Sequence, residues 1–516
     1  MVKNTTLPSL KPINNMDKIK DLLTKKPFYR VLNSGLTSRS GSACRVSDMQ
    51  YEEKDIIGTP LTQADFIEEL NPSAHKVTSE FFFPDSYNYG KVITEHGDTQ
   101  DTMYREEAFR VTIPIQKVIA TQHLVHLYGN DTHHELTDNK VDSKINDNFF
   151  LYQRGWLSKN IDIRLYEAGR SEEWTGDKAI VFAMVNGKLY TKVLSYINGD
   201  TLYPHYDQYT GELSVFARKF SSYDQTNKIV AHFVEVWDRQ HYYLYRQEEQ
   251  GVLGMVNKIK DYLGLEGYKL INKKQHGFQR VPVAYKRSIL NGPGWNDVQY
   301  LADDVEIALS YWAKACASTA NDAYIIKGDN VDIKGDPLGR VRAFVMDKDG
   351  EVSLLEKKSA GDFYQAYVER LFKEIFRGSF TVETPQLKSG DTPAAAIKLI
   401  YSPNLDHAIL QAKEEQDFIN DVKELFCWGY GMEIESQTAM VDIAKRTLSY
   451  IIPFVHQNDS ELCTNLVMLK NAGLMSTETG AEHNPYTTNA EPDKIFKEQK
   501  AQQAADRLFQ LRQNRL

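Results

Sequence analysis

One stretch, Asn296 to Leu410, restricts the fold of this 516-residue chain more than any other. It follows Gly292-Pro293-Gly294, a loop that cannot be helical. Val298, Leu301, Val305, Leu309, Trp312 and Cys316 then recur three or four apart, one stripe of a helix over Asn296–Ala320. Such a helix is roughly 35–40 Å long. Ala302, Ala308, Ala313, Ala315 and Ala317 flank the stripe and let a neighbouring backbone approach closely. Tyr324–Gly328, Val341–Val345 and Val352–Leu355 read as strands, the last two joined through Asp347-Lys348-Asp349-Gly350. A second helix starts at Asp362, where Phe363, Tyr367, Leu371 and Ile375 fall four apart. Tyr364, Val368, Phe372 and Phe376 widen that face into a heavily buried one. TPQLKSGDTP (384–393) breaks the helix, and Pro403, behind Ser402, opens a third. Ile409, Ala412, Ile419, Val422 and Phe426 are its stripe and Gly429 its stop. A small β insert therefore stands at the end of a two-helix stalk.

The rest of the chain is placed around that stalk, and the whole reads as α+β. Residues 1–100 alternate short apolar pieces with polar loops, among them Thr37–Ser42 and the cluster Phe81-Phe82-Phe83. Pro114 opens a helix carrying Ile115, Val118, Ile119, His123, His126 and Leu127, ended by Gly129. From Ala179 the period switches to two. Ala179–Val185 and Lys188–Val193 flank Asn186-Gly187, a strong hairpin signal. Asn198-Gly199 and Thr210-Gly211 mark further turns, Leu213–Phe216 a strand, and Ile229–Trp237 with His241–Tyr245 a second hairpin. Tyr242, Tyr243 and Tyr245 serve either an interface or cross-strand packing within one subunit. Gln247–Lys274 reads as a connection, and Phe278–Val283 as a short strand. Val441–Val455 reads as extended, Ser460 caps a short helix ended by Gly473, and Asp493–Leu516 is a polar, Gln-rich helix.

The search for chemistry is negative. A Walker-type loop, a G-x-S-x-G elbow and a dinucleotide fingerprint are all missing from the sequence. Cys44, Cys316, Cys427 and Cys463 are too scattered for a zinc site; Cys316 and Cys427 read as buried thiols of a reducing compartment. His123, His126, His133, His134 and Glu135 read as helix packing and a solvated loop rather than metal ligands. Asp303-Asp304 and Glu414-Glu415 are neighbours about 100° apart on their helices, so they read as solvated faces. No catalytic residue, metal or cofactor is expected. The first residues lack the apolar core of a secretory signal and no run is long enough to span a bilayer, so a protein assembled in the cytoplasm is expected. A formal charge of −9 differs from that of a tight phosphate-backbone binder without excluding a DNA partner.

The order of stalk helix, β insert, second helix, broken loop and third helix resembles the portal proteins of tailed phages, particularly the siphovirus-type family. Three stretches carry the likeness. NDVQYLADDVEIALSYWAKACASTANDAYIIKG resembles a stem helix entering the clip. KSGDTPAAAIKLIYSPNLDHAILQAKEEQDFINDVKELF resembles the tunnel loop and its following helix. IIPFVHQNDSELCTNLVMLKNAGLMSTETGAEHNPYTTNAEPDKIFKEQ resembles the strand leaving the wing and then the crown.

The resemblance implies a portal fold: a β-rich and helical wing, a two-helix stem, a small β clip, a long wing helix with its tunnel loop, and a helical crown. On this chain the pieces fall at 1–109 (N-terminal region), 110–295 (wing), 296–322 (first stem helix), 323–360 (clip), 361–378 (second stem helix), 379–457 (tunnel loop, long helix and return strand) and 458–516 (crown and tail). It also implies a homo-oligomer, a dodecameric ring at one capsid vertex in the virion, with no enzymatic activity of its own. Double-stranded DNA would pass through its channel. Its partners would be the terminase, the major capsid and scaffolding proteins, and an adaptor or head-completion protein, with no membrane involved. The tunnel-loop candidates are Lys388, Ser389, Gly390, Asp391 and Thr392. In the clip, Lys327, Lys334, Arg340 and Arg342 face DNA, dock terminase and adaptor, or are plain surface charges. The competing reading is a non-portal virion or scaffold-like interaction protein built on a similar stalk.

Overall fold

The computed structural model describes residues 23, 28–30, 59–93, 99–137, 142–224, 229–247, 268–288, 292–319, 323–327, 332–335, 342–345, 351–355, 361–383, 399–454, 459–475, 480 and 500. Thr37–Ser42, Cys44 and nearly all of Asp493–Leu516 lie outside them. Strand β1 (Phe28–Arg30) pairs antiparallel with β2 (Thr59–Leu61). Helix α1 (Gln63–Leu70) starts where the Thr62 N–H donates to Asp65 Oδ2 at 2.6 Å, satisfying one orphan donor of the first turn. Strands β3 (Ser86–Ile93) and β4 (Thr99–Glu106) form a hairpin. Helix α2 (Ile115–Tyr128) lies where Pro114 and Gly129 predict it, and β5 (His133–Leu136) follows. Helices α3 (Ser143–Ser158) and α4 (Ile161–Thr175) come next.

The β layer is antiparallel throughout. β6 (Asp177–Val185) and β7 (Lys188–Leu194) turn at Asn186 and Gly187, whose φ values of 52° and 74° are the paired left-handed conformations a tight hairpin needs. β8 (Thr201–Tyr206), β9 (Leu213–Asp224), β10 (Ile229–Trp237), β11 (His241–Gln247) and β12 (Tyr268–Gln275) form a five-stranded sheet in the order β12-β11-β10-β9-β8. Part of the expected connection Gln247–Lys274 is thus a strand. β13 (Val283–Arg287) adds to β6 as the third strand of the other sheet. It begins where Phe278–Val283 was expected to end, because Phe278 and Val281 are irregular chain whose side chains fill two buried clusters. Tyr243 and Tyr245 are buried and stack with centroids 6.4 Å apart, so these tyrosines pack within the chain.

Helix α5 (Gln299–Thr319) continues a short turn of 3₁₀-helix at Asn296–Val298, matching the predicted first helix. Four strands follow: β14 (Ala323–Lys327), β15 (Asp332–Gly335), β16 (Arg342–Val345) and β17 (Glu351–Leu355). They are nested, β14 with β17 and β15 with β16. Strand β15 was not among the expected strands, while β16 and β17 follow one another as expected and each pairs with a different strand. Helix α6 (Gly361–Gly378) closes the unit.

The third predicted helix is α7 (Ser402–Glu414) followed by α8 (Gln416–Glu433). The backbone remains right-handed at Glu415, whose N–H still donates to Gln411 O at 2.9 Å. Gly429 is no stop. It lies inside α8, where an added Cβ would come within 2.5 Å of Leu189 Cδ1, so the glycine permits close helix–strand approach. Val441–Arg446, expected to be extended, belongs to α9 (Gln437–Arg446), because Met440, Ile443 and Ala444 turn one face into the core. β18 (Thr447–Tyr450) then pairs with β5, and α10 (Asp459–Asn471) ends at Gly473.

Two cores matter for function. One gathers Trp156, Phe182, Leu425, Phe426 and Ile443 from α3, β6, α8 and α9. The other gathers Phe66, Ile119, Val305 and Ile375 from α1, α2, α5 and α6. Among the described residues no helix is long and apolar enough to cross a membrane.

Candidate subunit-contact and channel surfaces

Helices α5 and α6 pack antiparallel: a Cβ on Gly378, at the end of α6, would lie 2.8 Å from Val298, in the 3₁₀ turn that leads into α5. The base of this pair is built into the second core through Val298, Ala302, Val305, Leu371 and Ile375. Polar contacts fix the same end. The buried Glu306 carboxylate accepts from Ile113 N at 2.9 Å and lies 2.6 Å from His75 Nδ1. Ser310 Oγ accepts from Val111 N at 2.9 Å. Burial opposes the charge on His75, but the bond to Glu306 and its negative field raise the imidazole above its usual value.

Toward the nested strands the covering runs out. Phe363 is 72% exposed and Tyr367 40%. The outer end of α6 therefore does not have the heavily buried face its periodicity predicts. Cys316, expected to be buried, is exposed on α5, whereas Cys427 is buried. A pair of helices rooted at one end, with large aromatic side chains bare at the other, is the form of an element that another surface covers.

The base of α6 also organises the segment that follows it. Ser379, Phe380 and Thr381 leave the helix, with Phe380 at φ 53°. His123 Nε2 lies 2.7 Å from Ser379 O. Gln122 Nε2 donates to Val382 O at 2.8 Å, and Gln122 Oε1 accepts from both Val382 N (3.1 Å) and Asn404 Nδ2 (2.8 Å). One amide on α2 thus ties together the two flanks of 384–398. Phe380 stacks on His407, centroids 5.3 Å apart, and His407 lies 4.4 Å from the His123 ring.

The histidines singled out in the sequence are separated by these roles. His123 serves the clamp, His126 Nδ1 lies 2.9 Å from Phe454 O, and His134 Nδ1 lies 2.8 Å from Ser449 Oγ. Gln122, Ser379, Asn404 and His407 were not foreseen. Gln122 and Asn404, and His123 and Ser379, are more than 250 residues apart, and no local spacing marks them.

Burial draws His407 down to about 4, helped by His123 and opposed by Glu173. Burial likewise draws His134 to about 4. An unfolded histidine titrates near 6.5, so between pH 6.5 and 4 the unfolded chain binds protons that the folded chain refuses. Stability is therefore full above that window and falls as pH drops through it. His75 has the opposite sign but is protonated in both states below 6.5, so it does not mask the effect. His407→Phe should remove its share of the loss, about 3 kcal/mol at most by pH 4. Urea unfolding at pH 7, 5.5 and 4.5 checks this. An equal pH slope in variant and parent would refute the assignment.

The predicted site residues are placed as follows. Lys327 ends β14 opposite Glu351, Lys334 on β15 is opposite Ala343, and Arg342 on β16 is opposite Gly335. The structure thus puts Lys334 and Arg342 on one strand pair and Lys327 on the other. Arg340 and Lys388–Thr392 lie outside the described residues. Glu415 is not on a solvated face: it is buried against Lys178 and Lys286.

No curated protein matches the chain. Among solved structures it is similar to a chain of the "Virion of native gene transfer agent (GTA) particle", with 10% identity, 74% of this chain and 87% of that chain covered, and a TM-score of 0.34. It is also similar to a chain of the "Neck of empty GTA particle computed with C6 symmetry", with 10% identity, 74% and 90% coverage, and a TM-score of 0.36. Likeness that distant carries no weight here. Residues 85–505, by contrast, match the family described as phage portal protein, SPP1 Gp6-like, and with most of its length so matched the chain belongs to that family.

Proposed function

We propose that the chain forms the portal ring at one capsid vertex, through which double-stranded viral DNA is packaged, retained and released. It acts as a structural conduit and dock for terminase and then for head-completion proteins, and does no chemistry itself. The observation that carries this reading is the α5/α6 pair, rooted in the core at one end and bare at Phe363 and Tyr367 at the other. In this reading α5 and α6 are the stem, β14–β17 the clip, α7 and α8 the long wing helix, and α10 part of the crown. Lys327, Lys334, Arg340 and Arg342 are contact residues of the clip. Lys388–Thr392 is the tunnel loop, and the Gln122 clamp on the flanks of 384–398 suits a loop held at its base.

Negative-stain imaging of the purified full-length chain tests the proposal. Rings with a central channel wide enough for a duplex are expected; monomers or open filaments at high concentration would overturn it. Deletion of Lys388–Thr392 should leave the ring intact and impair DNA packaging or retention. Packaging and retention at the parent level would sink the loop assignment while leaving the ring.

A further inference from the structure

A cavity of about 310 Å³ opens between α4, β7 and the turn at Ser195–Asn198, away from the stalk and the loop clamp. Its charged lining is Arg164, Glu167, Arg170 and Lys192, three cations against one carboxylate, in a chain whose net charge is −9. The positive balance is therefore local and contrary to the rest of the molecule.

The cations are not consumed by internal pairing. Arg164 Nη1 reaches Glu167 Oε2 at 2.7 Å, but Arg164 Nε is buried with no hydrogen-bond partner among the described residues. Arg170 lies over the Trp174 ring, 5.6 Å from its centroid, and has no carboxylate partner among the described residues. Glu167 offsets one cation, which leaves a surplus of two positive charges.

We propose that this pocket binds a phosphate-class oxyanion, a terminal phosphate or diphosphate carrying about two negative charges. Arginine forks match phosphate oxygens in pairs, and lysine adds a point charge. The volume is at the small end for ligand cavities, enough for a diphosphate group and too small for a duplex. A backbone phosphodiester, with one charge, meets only half of the surplus. The proposal does not depend on ring formation.

The test is calorimetric titration of the full-length chain with inorganic pyrophosphate at low salt, with a short DNA duplex as competitor. Saturable binding with a Kd at or below about 1 mM is expected. The doubly substituted Arg170→Ala/Lys192→Ala chain should bind about tenfold or more weakly. Both residues are exposed, so the fold should be unaffected. Glu167→Gln removes the competing carboxylate and should tighten binding by about threefold, a gain that misfolding cannot produce. Absence of saturable binding, affinity unchanged in the Arg170/Lys192 variant, or no gain from Glu167→Gln would each overturn the proposal. Binding of duplex but not pyrophosphate through these residues would overturn the assignment to a terminal phosphate.

Discussion

Replacing Lys178 by Met is expected to destabilise the chain by about 3–5 kcal/mol. Lys178, on β6, is fully buried, with its Nζ 2.6 Å from Glu172 Oε2, 2.7 Å from Glu415 Oε2 and 2.9 Å from Tyr128 Oη. Lys286, on β13, completes a charge-balanced foursome: its Nζ is 3.2 Å from Glu172 Oε1 and 2.5 Å from Glu415 Oε1. The four charges tie α4, two strands and the α7–α8 junction together. Burial alone would lift the Glu415 carboxyl, but the two lysines hold it down at about 2. Burial and the Glu415 charge push Glu172 up against the pull of the same lysines.

Methionine is close to lysine in length and apolar, so the variant loses charge rather than volume. What remains is two buried carboxylates sharing one lysine. Glu172, already raised, should then take a proton at a higher pH than in the parent. A carboxyl with a raised folded pKa gains stability as pH falls, so the deficit should shrink on acidification. For the same reason Lys178→Met/Glu172→Gln, which restores neutrality, should recover part of the loss. Urea unfolding followed by tryptophan fluorescence measures both variants. A loss below about 1 kcal/mol, or no recovery in the double variant, would show that the network contributes little.

That network shows where sequence reading stops. Glu414 and Glu415 look alike as neighbouring helical carboxylates, and only the tertiary arrangement exposes one and buries the other. The partners of Glu415 lie 237 and 129 residues away, and Lys178 stands at the edge of an apolar strand where a solvated residue is the ordinary expectation. Features set by local rules were legible: the Asn186-Gly187 hairpin, α2 between Pro114 and Gly129, α5, α6, and α10 ending at Gly473. Features set by packing were not. Gly429 looks like a helix stop until Leu189 is placed against it, and Val441 and Ile443 look like strand until the core takes up Met440, Ile443 and Ala444. The clamp at Gln122 depends wholly on long-range partners. The candidate surface was half legible, since periodicity located the aromatic face of α6 but could not say that its outer end lacks a cover within one chain.

That uncovered end leads to the second large effect. Phe363→Glu/Tyr367→Glu is expected to abolish assembly of the proposed ring while leaving the single chain folded. The two side chains follow each other along α6 four residues apart, on a face that continues through the exposed Arg370 and Glu374. The buried stripe of the same helix runs instead through Val368, Leu371 and Ile375. Substitutions on the first face therefore leave the intramolecular seam with α5 intact, and an exposed change away from the core alters stability by about 0.5 kcal/mol or less. Burying an exposed aromatic against a neighbour is worth about 1.5–3 kcal/mol, whereas burying a carboxylate there without a partner is a cost. In the proposed ring that difference recurs at each subunit contact, so assembly should fail at concentrations where the parent assembles. Mass photometry reads the assembly and urea unfolding reads the fold. Rings of parent size in the double variant would show that the α6 face is not the subunit contact. A monomer weakened by about 3 kcal/mol or more would instead return these aromatics to the chain's own core.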